Sequence, residues 1–320
     1  SVDEAIAYRA RILEALPEGL RFEPLMTAYL TDAIDPGELD RGFRQGVFSA
    51  AKLYPANATT NSAAGVSDFS KISLALERME AIDMPLLIHG EVTDPDVDVF
   101  DREALFIQRH LLPLRERYPR LRIILEHITT EEAVTYIREA YLGGDERIAA
   151  TITPHHLHLN RNAMFVGGLR SDFYCLPVVK RECHRRALVR AATSGLPCFF
   201  LGTDSAPHPR SGKQSACGCA GIFNAFHALE SYATVFQQEG ALDRLEGFSS
   251  EYGPRFYGLP LNTDTVTLVR EDQLIPSRLS LPQAARSGNN SLPEAEWPLL
   301  FHSGETLTWC IEMNGQSHGN

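Results

Sequence analysis

The chain has 320 residues, 44% of them hydrophobic, and a formal net charge of -11 from 30 basic and 41 acidic residues. This length is normal for a single α/β barrel and too great for one small domain. The acidic balance, without a tract of Lys and Arg, argues against a nucleic acid or an anionic membrane as partner. The sequence contains no run of 18 apolar residues, so we predict no membrane span, and no signal-peptide pattern opens the chain.

Strands and helices alternate from the first residue to about residue 205. The predicted helices are 1–16, 36–45, 69–83, 98–118, 130–140 and 181–194. The predicted strands are 24–30, 46–54, 85–91, 121–128, 147–154 and 197–204. Apolar runs separated by helices indicate a parallel sheet covered on both faces, which an open doubly wound sheet and a closed barrel both satisfy. A closed barrel of this kind has eight strands, two more than the six found.

The alternation stops after residue 205. The sequence then predicts a loop over 205–223, a helix over 224–238 capped by Asn224, a helix over 250–257, a loop over 276–295, a short strand over 306–312 and a polar tail in the last eight residues. We find no internal repeat and predict one domain over 1–320, with strand–helix units in 1–205 and loops, helices and a short strand in 206–320. Six cysteines in a long chain without secretory features predict reduced thiols and a cytoplasmic protein.

Four ionisable residues share one kind of position, at or near the carboxyl end of a predicted strand: Lys52, His89, His127 and Asp204. The carboxyl ends of parallel strands open on the same face, where active sites lie. Two imidazoles, a carboxylate and an oxygen-bearing lysine suit zinc or another borderline divalent metal. The alternatives are a salt-bridged lysine, two core or loop histidines and an aspartate that caps a turn.

Other polar residues are weaker candidates. His208 lies four residues beyond Asp204, close enough to contact a substrate at the same mouth. Thr59 and Thr60 follow the Lys52 strand on a loop of small residues, which is either a lid over the site or an ordinary surface loop. The cluster His155-His156-Leu-His158 is expected to lie on a solvated loop.

Seven segments carry a family resemblance. They are Ala51-Lys-Leu-Tyr-Pro-Ala-Asn-Ala-Thr-Thr-Asn61, LLIHGE over 86–91, EHITT over 126–130, ATITP over 150–154, YCLP over 174–177, GTDSAPH over 202–208 and CGCAG over 217–221. In this order they resemble the segments of the bacterial dihydroorotases of the shorter-chain type, within the amidohydrolase superfamily. The resemblance covers nearly the whole chain and loosens after about residue 270.

The resemblance implies a (β/α)8 barrel of the metal-dependent hydrolase kind. It implies the reversible cyclisation of N-carbamoyl-L-aspartate to L-dihydroorotate, a step of pyrimidine biosynthesis, in a homodimer. It further implies that Lys52, carboxylated, bridges two Zn²⁺ ions per subunit, that His89 and His127 bind the outer ion, and that Asp204 binds the inner ion and acts as general base and acid. The residues implied to contact the substrate are His89, Leu176, His208 and Ala220, with Thr59 and Thr60 on a closing loop.

One feature of the family is not found in this sequence. The family has a His-x-His pair at the end of its first strand, a nearby arginine, and an asparagine after its second strand, whereas the only His-x-His here is His156-Leu-His158. We therefore expect the first two barrel strands to be missing, one zinc ion rather than two, and a chain with little or no activity. The alternatives are a truncated, non-catalytic homologue that serves as a scaffold, and another cyclic amidohydrolase such as a hydantoinase.

Overall fold

The computed structural model describes residues 1–277, 279 and 296–312. The chain divides into two compact units. The first comprises Ser1–Thr151 and Leu176–Lys180, and the second comprises Ile152–Cys175 and the described residues from Arg181 onward. The single domain over 1–320 stays a prediction. In the described part of the chain no helix has the length and apolar character needed to cross a membrane.

Helices and strands follow one another largely as the sequence predicts. The α-helices are α1 (Val2–Glu14), α2 (Pro36–Arg44), α3 (Ser73–Ala81), α4 (Arg102–Phe106), α5 (Leu112–Arg117), α6 (Glu131–Leu142), α7 (Pro154–His158), α8 (Glu182–Ala192), α9 (Arg210–Lys213), α10 (Ala228–Gln238) and α11 (Tyr252–Tyr257). The strands are β1 (Met26–Tyr29), β2 (Phe48–Leu53), β3 (Leu86–His89), β4 (Ile123–Glu126), β5 (Ile148–Ile152), β6 (Phe199–Leu201), β7 (Leu268–Val269), β8 (Gln273–Leu274), β9 (Thr306–Leu307) and β10 (Cys310–Ile311).

The first unit is built on a parallel sheet in which β1 to β5 pair in chain order. The register places Tyr29 beside Lys52, and His89 beside Glu126. Every residue of β3 and β5 is buried, as expected for strands covered on both faces. Because the strands are parallel, Lys52, His89 and Glu126 all lie toward the same edge of the sheet.

Helix starts in the first unit follow local sequence signals. Ser1 and Glu4 form a capping box at the start of α1. The side chain of each residue accepts a hydrogen bond from the backbone nitrogen of the other. Asp35 caps α2 ahead of Pro36, and the Thr130 side chain accepts from Ala133 N at the start of α6. These caps explain why α1, α2 and α6 begin close to where the sequence predicts.

The second unit has its own aromatic core. Tyr232 and Phe236 on α10 each pack against Phe248, with ring centroids 5.3 Å apart in both pairs. The Tyr232 hydroxyl donates to Ile152 O at 2.6 Å, so the buried polar tip of this ring is satisfied. Two short antiparallel pairs, β7 with β10 and β8 with β9, lie in the same unit.

Several predicted elements differ in detail. The helix over 98–118 contains a π-helical turn, Ile107–Leu111, just before Pro113, which has no N–H to continue the regular pattern. The helix over 69–83 opens with a 3-10 turn, Phe69–Ile72. The strand over 306–312 is two short strands, because β9 pairs with β8 and β10 pairs with β7. Most of the loop over 276–295 and the polar tail lie outside the described residues.

Gly42 on α2 packs directly against the ring of Phe48. A Cβ at position 42 would lie 2.1 Å from Phe48 Cδ2, and Phe48 is itself in the core. We expect Gly42→Ala to lower the free energy of unfolding by about 1–3 kcal/mol, despite the better helix propensity of alanine. Urea denaturation measures this, with Gly37→Ala on the same helix as control. A Gly42→Ala chain as stable as the wild type would contradict the packing.

Candidate metal centre and active site

His89 is the last residue of β3, and its ring is held by a carboxylate. Its Nε2 lies 2.8 Å from Glu91 Oε2, and the exposed fractions of the two side chains are 0% and 1%. A carboxylate can only accept a hydrogen bond, so Nε2 carries a proton, and in the neutral imidazole Nδ1 then keeps its lone pair. His89 Nδ1 is buried and has no hydrogen-bond partner among the described residues. A histidine with one nitrogen held by a carboxylate and the other bare is typical of a metal ligand.

His127 follows β4 directly and faces His89. The two ring centroids lie 4.8 Å apart, in an edge-to-face arrangement. The backbone of His127 has φ of +43°, a left-handed conformation that is rare for a residue with a side chain. His127 N donates to Thr151 Oγ1 at 2.8 Å, which fixes this turn on β5. Such local strain is common at functional sites.

A second buried carboxylate, Glu103 on α4, holds the two residues beyond this turn. Its oxygens accept from Thr129 N at 3.0 and 2.9 Å and from Thr129 Oγ1 at 2.8 Å. They also accept from Thr130 N at 2.8 Å and from Thr130 Oγ1 at 2.5 Å. Because these donors lie at the start of α6, the helix dipole also favours the negative charge. Glu103 therefore fixes the path of the chain just after His127.

Lys52 lies on β2 with its ammonium paired to Glu126, the residue before His127. Its Nζ also lies 4.7 Å from the centroid of the Tyr54 ring, which in turn lies 5.8 Å from the His89 ring. The ion pair gives the buried charge a partner, so burial alone does not require that Lys52 be carboxylated. The salt-bridged alternative describes Lys52 as this structure contains it, and carboxylation stays a prediction.

Thr59 and Thr60 lie on a compact loop whose two ends are joined by backbone hydrogen bonds. Val66 N donates to Tyr54 O at 2.8 Å and Ala56 N to Val66 O at 2.9 Å, which tie the two ends together. Inside the loop, Ser62 Oγ donates to Thr59 O at 2.6 Å. Thr60 is exposed. The loop therefore has internal structure of its own, and its action as a lid stays a prediction.

The remaining predicted site residues fall in different units. Leu176 belongs to the first unit, whereas Asp204, His208 and Ala220 belong to the second. Asp204 is exposed, with φ of +44°, just beyond β6. His208 Nε2 donates to Ala220 O at 3.0 Å, so these two proposed substrate contacts are directly joined.

The prediction that His155, His156 and His158 lie on a solvated loop is wrong. They lie on α7; His155 and His156 are buried and His158 is half-buried. The Thr153 side chain caps this helix ahead of Pro154, a start signal that the sequence contains. Burial holds the pKa of His155 well below its ordinary value and lowers the pKa of His158 to about 4.

Three side chains of the second unit form a group that could hold a metal ion: His155, His156 and Cys175, whose ligand atoms lie within 4.8 Å of one another. Cys175 Sγ lies 3.6 Å from His156 Nε2. However, Asn224 Nδ2 donates to His155 Nδ1 at 2.9 Å, which leaves the ring proton on Nε2. Asn224 was predicted as a helix cap, but its side chain binds His155 and Thr203 O instead.

Comparison with known proteins decides the family. The amidohydrolase family model matches residues 2–267. The dihydroorotase of Synechococcus sp. (strain RCC307) is 66% identical over 311 residues, which are 97% of this chain and 85% of that one. The crystal structure of dihydroorotase from Saccharomyces cerevisiae in complex with 5-fluoroorotic acid has a TM-score of 0.86 at 33% identity, covering 98% of this chain and 85% of that chain.

This chain is a dihydroorotase of the amidohydrolase family. The predicted fold class, an α/β barrel of the metal-dependent hydrolases, is confirmed by these dihydroorotase neighbours and by the parallel strands. The L-hydantoinase from Arthrobacter aurescens shares the fold, with a TM-score of 0.74 over 99% of this chain and 73% of that one, but only 16% identity. The hydantoinase alternative is therefore less well supported. Amidohydrolases are in general metal-dependent, which agrees with a bare, buried histidine nitrogen at the strand ends.

Sequence reasoning missed the carboxylates that support these histidines: Glu91, Glu103 and Glu126. Glu91 lies two residues beyond His89 and Glu126 one residue before His127, so their proximity in sequence to the two histidines was the available signal. Glu103 is distant in sequence, and only the fold brings it to Thr129 and Thr130.

Replacement of Glu103 by glutamine tests the brace behind His127. The amide keeps one acceptor oxygen but turns an NH2 group toward donors, so buried N–H and O–H groups lose their partner. We expect Glu103→Gln to lower the free energy of unfolding by about 2–4 kcal/mol. Chemical denaturation measures this, and Glu116→Gln, on the exposed face of α5, should change stability by less than about 0.5 kcal/mol. Equal effects of the two substitutions would contradict the role of Glu103.

Proposed function

We propose that this chain catalyses the interconversion of N-carbamoyl-L-aspartate and L-dihydroorotate, as its family name indicates. The observation that carries the proposal is the match to relatives named dihydroorotase, which are 54–66% identical over nearly the whole chain. The L-hydantoinase neighbour, by contrast, has a low identity. Assembly as a homodimer, a cytoplasmic location and a role in pyrimidine biosynthesis stay predictions from the resemblance.

The proposed metal is zinc. His89 and His127, with Lys52 in its carboxylated form, are the proposed ligands of the outer ion, and Lys52 and Asp204 are those of the inner ion. The support for His89 is its Nδ1, which is buried and bare while Nε2 is bound to Glu91. A ring fixed in this way offers its lone pair without first having to rotate or change tautomer. Nitrogen and oxygen donors of this kind suit zinc. When bound, the metal would supply a Lewis acid that polarises the amide carbonyl and favours ionisation of water.

The protein's own groups move the proton and hold the substrate. In ring opening, water adds to the amide carbonyl carbon of dihydroorotate and the ring C–N bond breaks. We assign to Asp204 the transfer of the water proton to the departing nitrogen, since a carboxylate can accept and then return it. We assign substrate contacts to His89, Leu176, His208 and Ala220, and closure over the substrate to the loop with Thr59 and Thr60.

A direct assay tests the proposed reaction. If the proposed reaction is correct, the purified chain, reconstituted with zinc, hydrolyses L-dihydroorotate and loses that activity on dialysis against a chelator, because ring opening needs the Lewis acid. Absorbance of dihydroorotate measures the rate, and hydantoin serves as the control substrate. Hydrolysis of hydantoin alone would favour the hydantoinase alternative. No turnover by a folded, zinc-loaded chain would favour the non-catalytic homologue and the expectation of inactivity.

Glu91→Gln tests the metal centre without reference to activity. Glutamine keeps an acceptor oxygen for His89 Nε2 but loses the negative charge that makes the ring a stronger ligand. We expect the affinity for zinc to fall by about 10–100-fold. Competition with a chelating dye measures the dissociation constant, and Glu116→Gln is the matched control. Unchanged affinity in Glu91→Gln would contradict the role of the Glu91–His89 pair in metal binding.

A further inference from the structure

Lys213, at the end of α9, is a buried lysine that the proposed mechanism does not use. Lys213 is only 2% exposed. Its Nζ donates to three backbone carbonyl oxygens, Tyr174 O at 2.7 Å, Cys219 O at 2.9 Å and Gly221 O at 2.7 Å. An ammonium group has three N–H donors and no acceptor, so these three bonds use its whole capacity. Such charge-assisted hydrogen bonds are stronger than those between neutral groups.

Two of these carbonyls flank Ala220 on either side. The carbonyl of Ala220 itself accepts from His208 Nε2 at 3.0 Å. Gly221 N donates back to Tyr174 O at 3.0 Å, so Tyr174 O receives both this amide and the ammonium. One buried charge therefore ties the backbone on both sides of Ala220 to the segment at Tyr174.

The position of the His208 ring depends on the same backbone. Gly221 has φ of +144°, and a Cβ there would lie 2.9 Å from His208 Cδ2 and 2.6 Å from Ala206 Cβ. The ring thus packs directly on the main chain at Gly221, which only glycine permits. A shift of the Cys219–Gly221 backbone would move Ala220 and the His208 ring together.

We propose that Lys213 is a positioning residue for substrate binding, whose ammonium holds Cys219 to Gly221 so that Ala220 and His208 are presented to dihydroorotate in a fixed geometry. The inference rests on the proposed function, which assigns the substrate contacts to Ala220 and His208. Lys213 touches neither the substrate nor the proposed metal ligands in this scheme. Its effect is on binding rather than on the chemical step.

The electrostatics of Lys213 agree with a clamp that depends on charge. Burial lowers the pKa of Lys213 to about 8, against the opposing influence of Cys175, Asp172 and Cys219. A neutral amine has only two hydrogens for three carbonyls. Weaker substrate binding as the pH rises through this range is therefore consistent with the proposal.

Lys213→Met tests the proposal, because methionine has a similar length and no donor. We expect the KM for dihydroorotate to rise about tenfold. This is the loss of binding expected when the contribution of about one charge-assisted hydrogen bond is removed. We expect kcat to change less than about threefold and the zinc content to stay the same, since only substrate positioning is affected. Lys71→Met, at an exposed lysine of the first unit, is the matched control and should leave both constants unchanged.

Chemical rescue provides the second variant. Lys213 and Gly221 both line a cavity of about 270 Å³, which has room for a small amine beside the Gly221 carbonyl. We expect ethylammonium to lower the raised KM of Lys213→Ala, and tetramethylammonium, which has no N–H, to have no effect at equal ionic strength. A KM equal to the wild type in both variants would overturn the proposal. So would an equal loss of kcat, KM and zinc without rescue, which indicates a general structural role.

Hydrogen exchange separates this proposal from the proposed reaction. If the wild-type chain shows no turnover, the proposed function fails, and amide exchange over 214–222 still tests the clamp. Faster exchange there in Lys213→Met than in the wild type, with unchanged exchange in the first unit, supports the clamp. Equal exchange in the two chains would overturn it. If Lys213→Met does not fold, Lys213→Arg, which keeps the charge and donors, takes its place and should show an intermediate KM.

Discussion

The contact between the Glu91 carboxylate and the imidazole of His89 determines what this site can do. Both groups are removed from water, so neither can exchange its partner for solvent without a large cost. The carboxylate fixes the ring orientation and keeps the proton on Nε2, which leaves Nδ1 bare in a buried place. A bare nitrogen in the interior is unfavourable unless something binds it. This geometry supports the proposal that His89 binds a metal ion.

The carboxylates around this pair act in different ways, although all are acidic residues near the same strand ends. Glu103 accepts from backbone and hydroxyl groups at the start of α6 and so orients the chain beyond His127. Glu126 balances the charge of Lys52. In the second unit, Lys213 acts like Glu103 but with the opposite charge, because its buried ammonium donates to three backbone carbonyls. Glu103 and Lys213 each order several backbone groups with one buried charge, and the hydrogen bonds to these groups satisfy that charge.

Periodicity and strand-end position were enough to predict the six main strands and to select Lys52, His89 and His127 as neighbours. This worked because parallel pairing leaves little freedom in where strand ends meet. Elements that depend on long-range partners were not predicted. The role of Glu103 depends on the packing of α4 beside the start of α6. The separation of β9 from β10 depends on their pairing with two different strands, β8 and β7. The sequence does not predict the burial of His155 and His156, because a polar run after a proline is also typical of a loop. Thr153 and Pro154 nevertheless form a helix start.

The most direct test of this account is the protonation state of His89, measured by ¹⁵N NMR on histidine-labelled protein, with the resonance assigned by comparison with His89→Asn. The account predicts that the metal-free chain carries the proton of His89 on Nε2, and that the Nδ1 resonance shifts on addition of stoichiometric zinc while the Nε2 proton remains. A proton on Nδ1, or an Nδ1 resonance that zinc does not move, would contradict the claim that Glu91 prepares His89 to bind a metal.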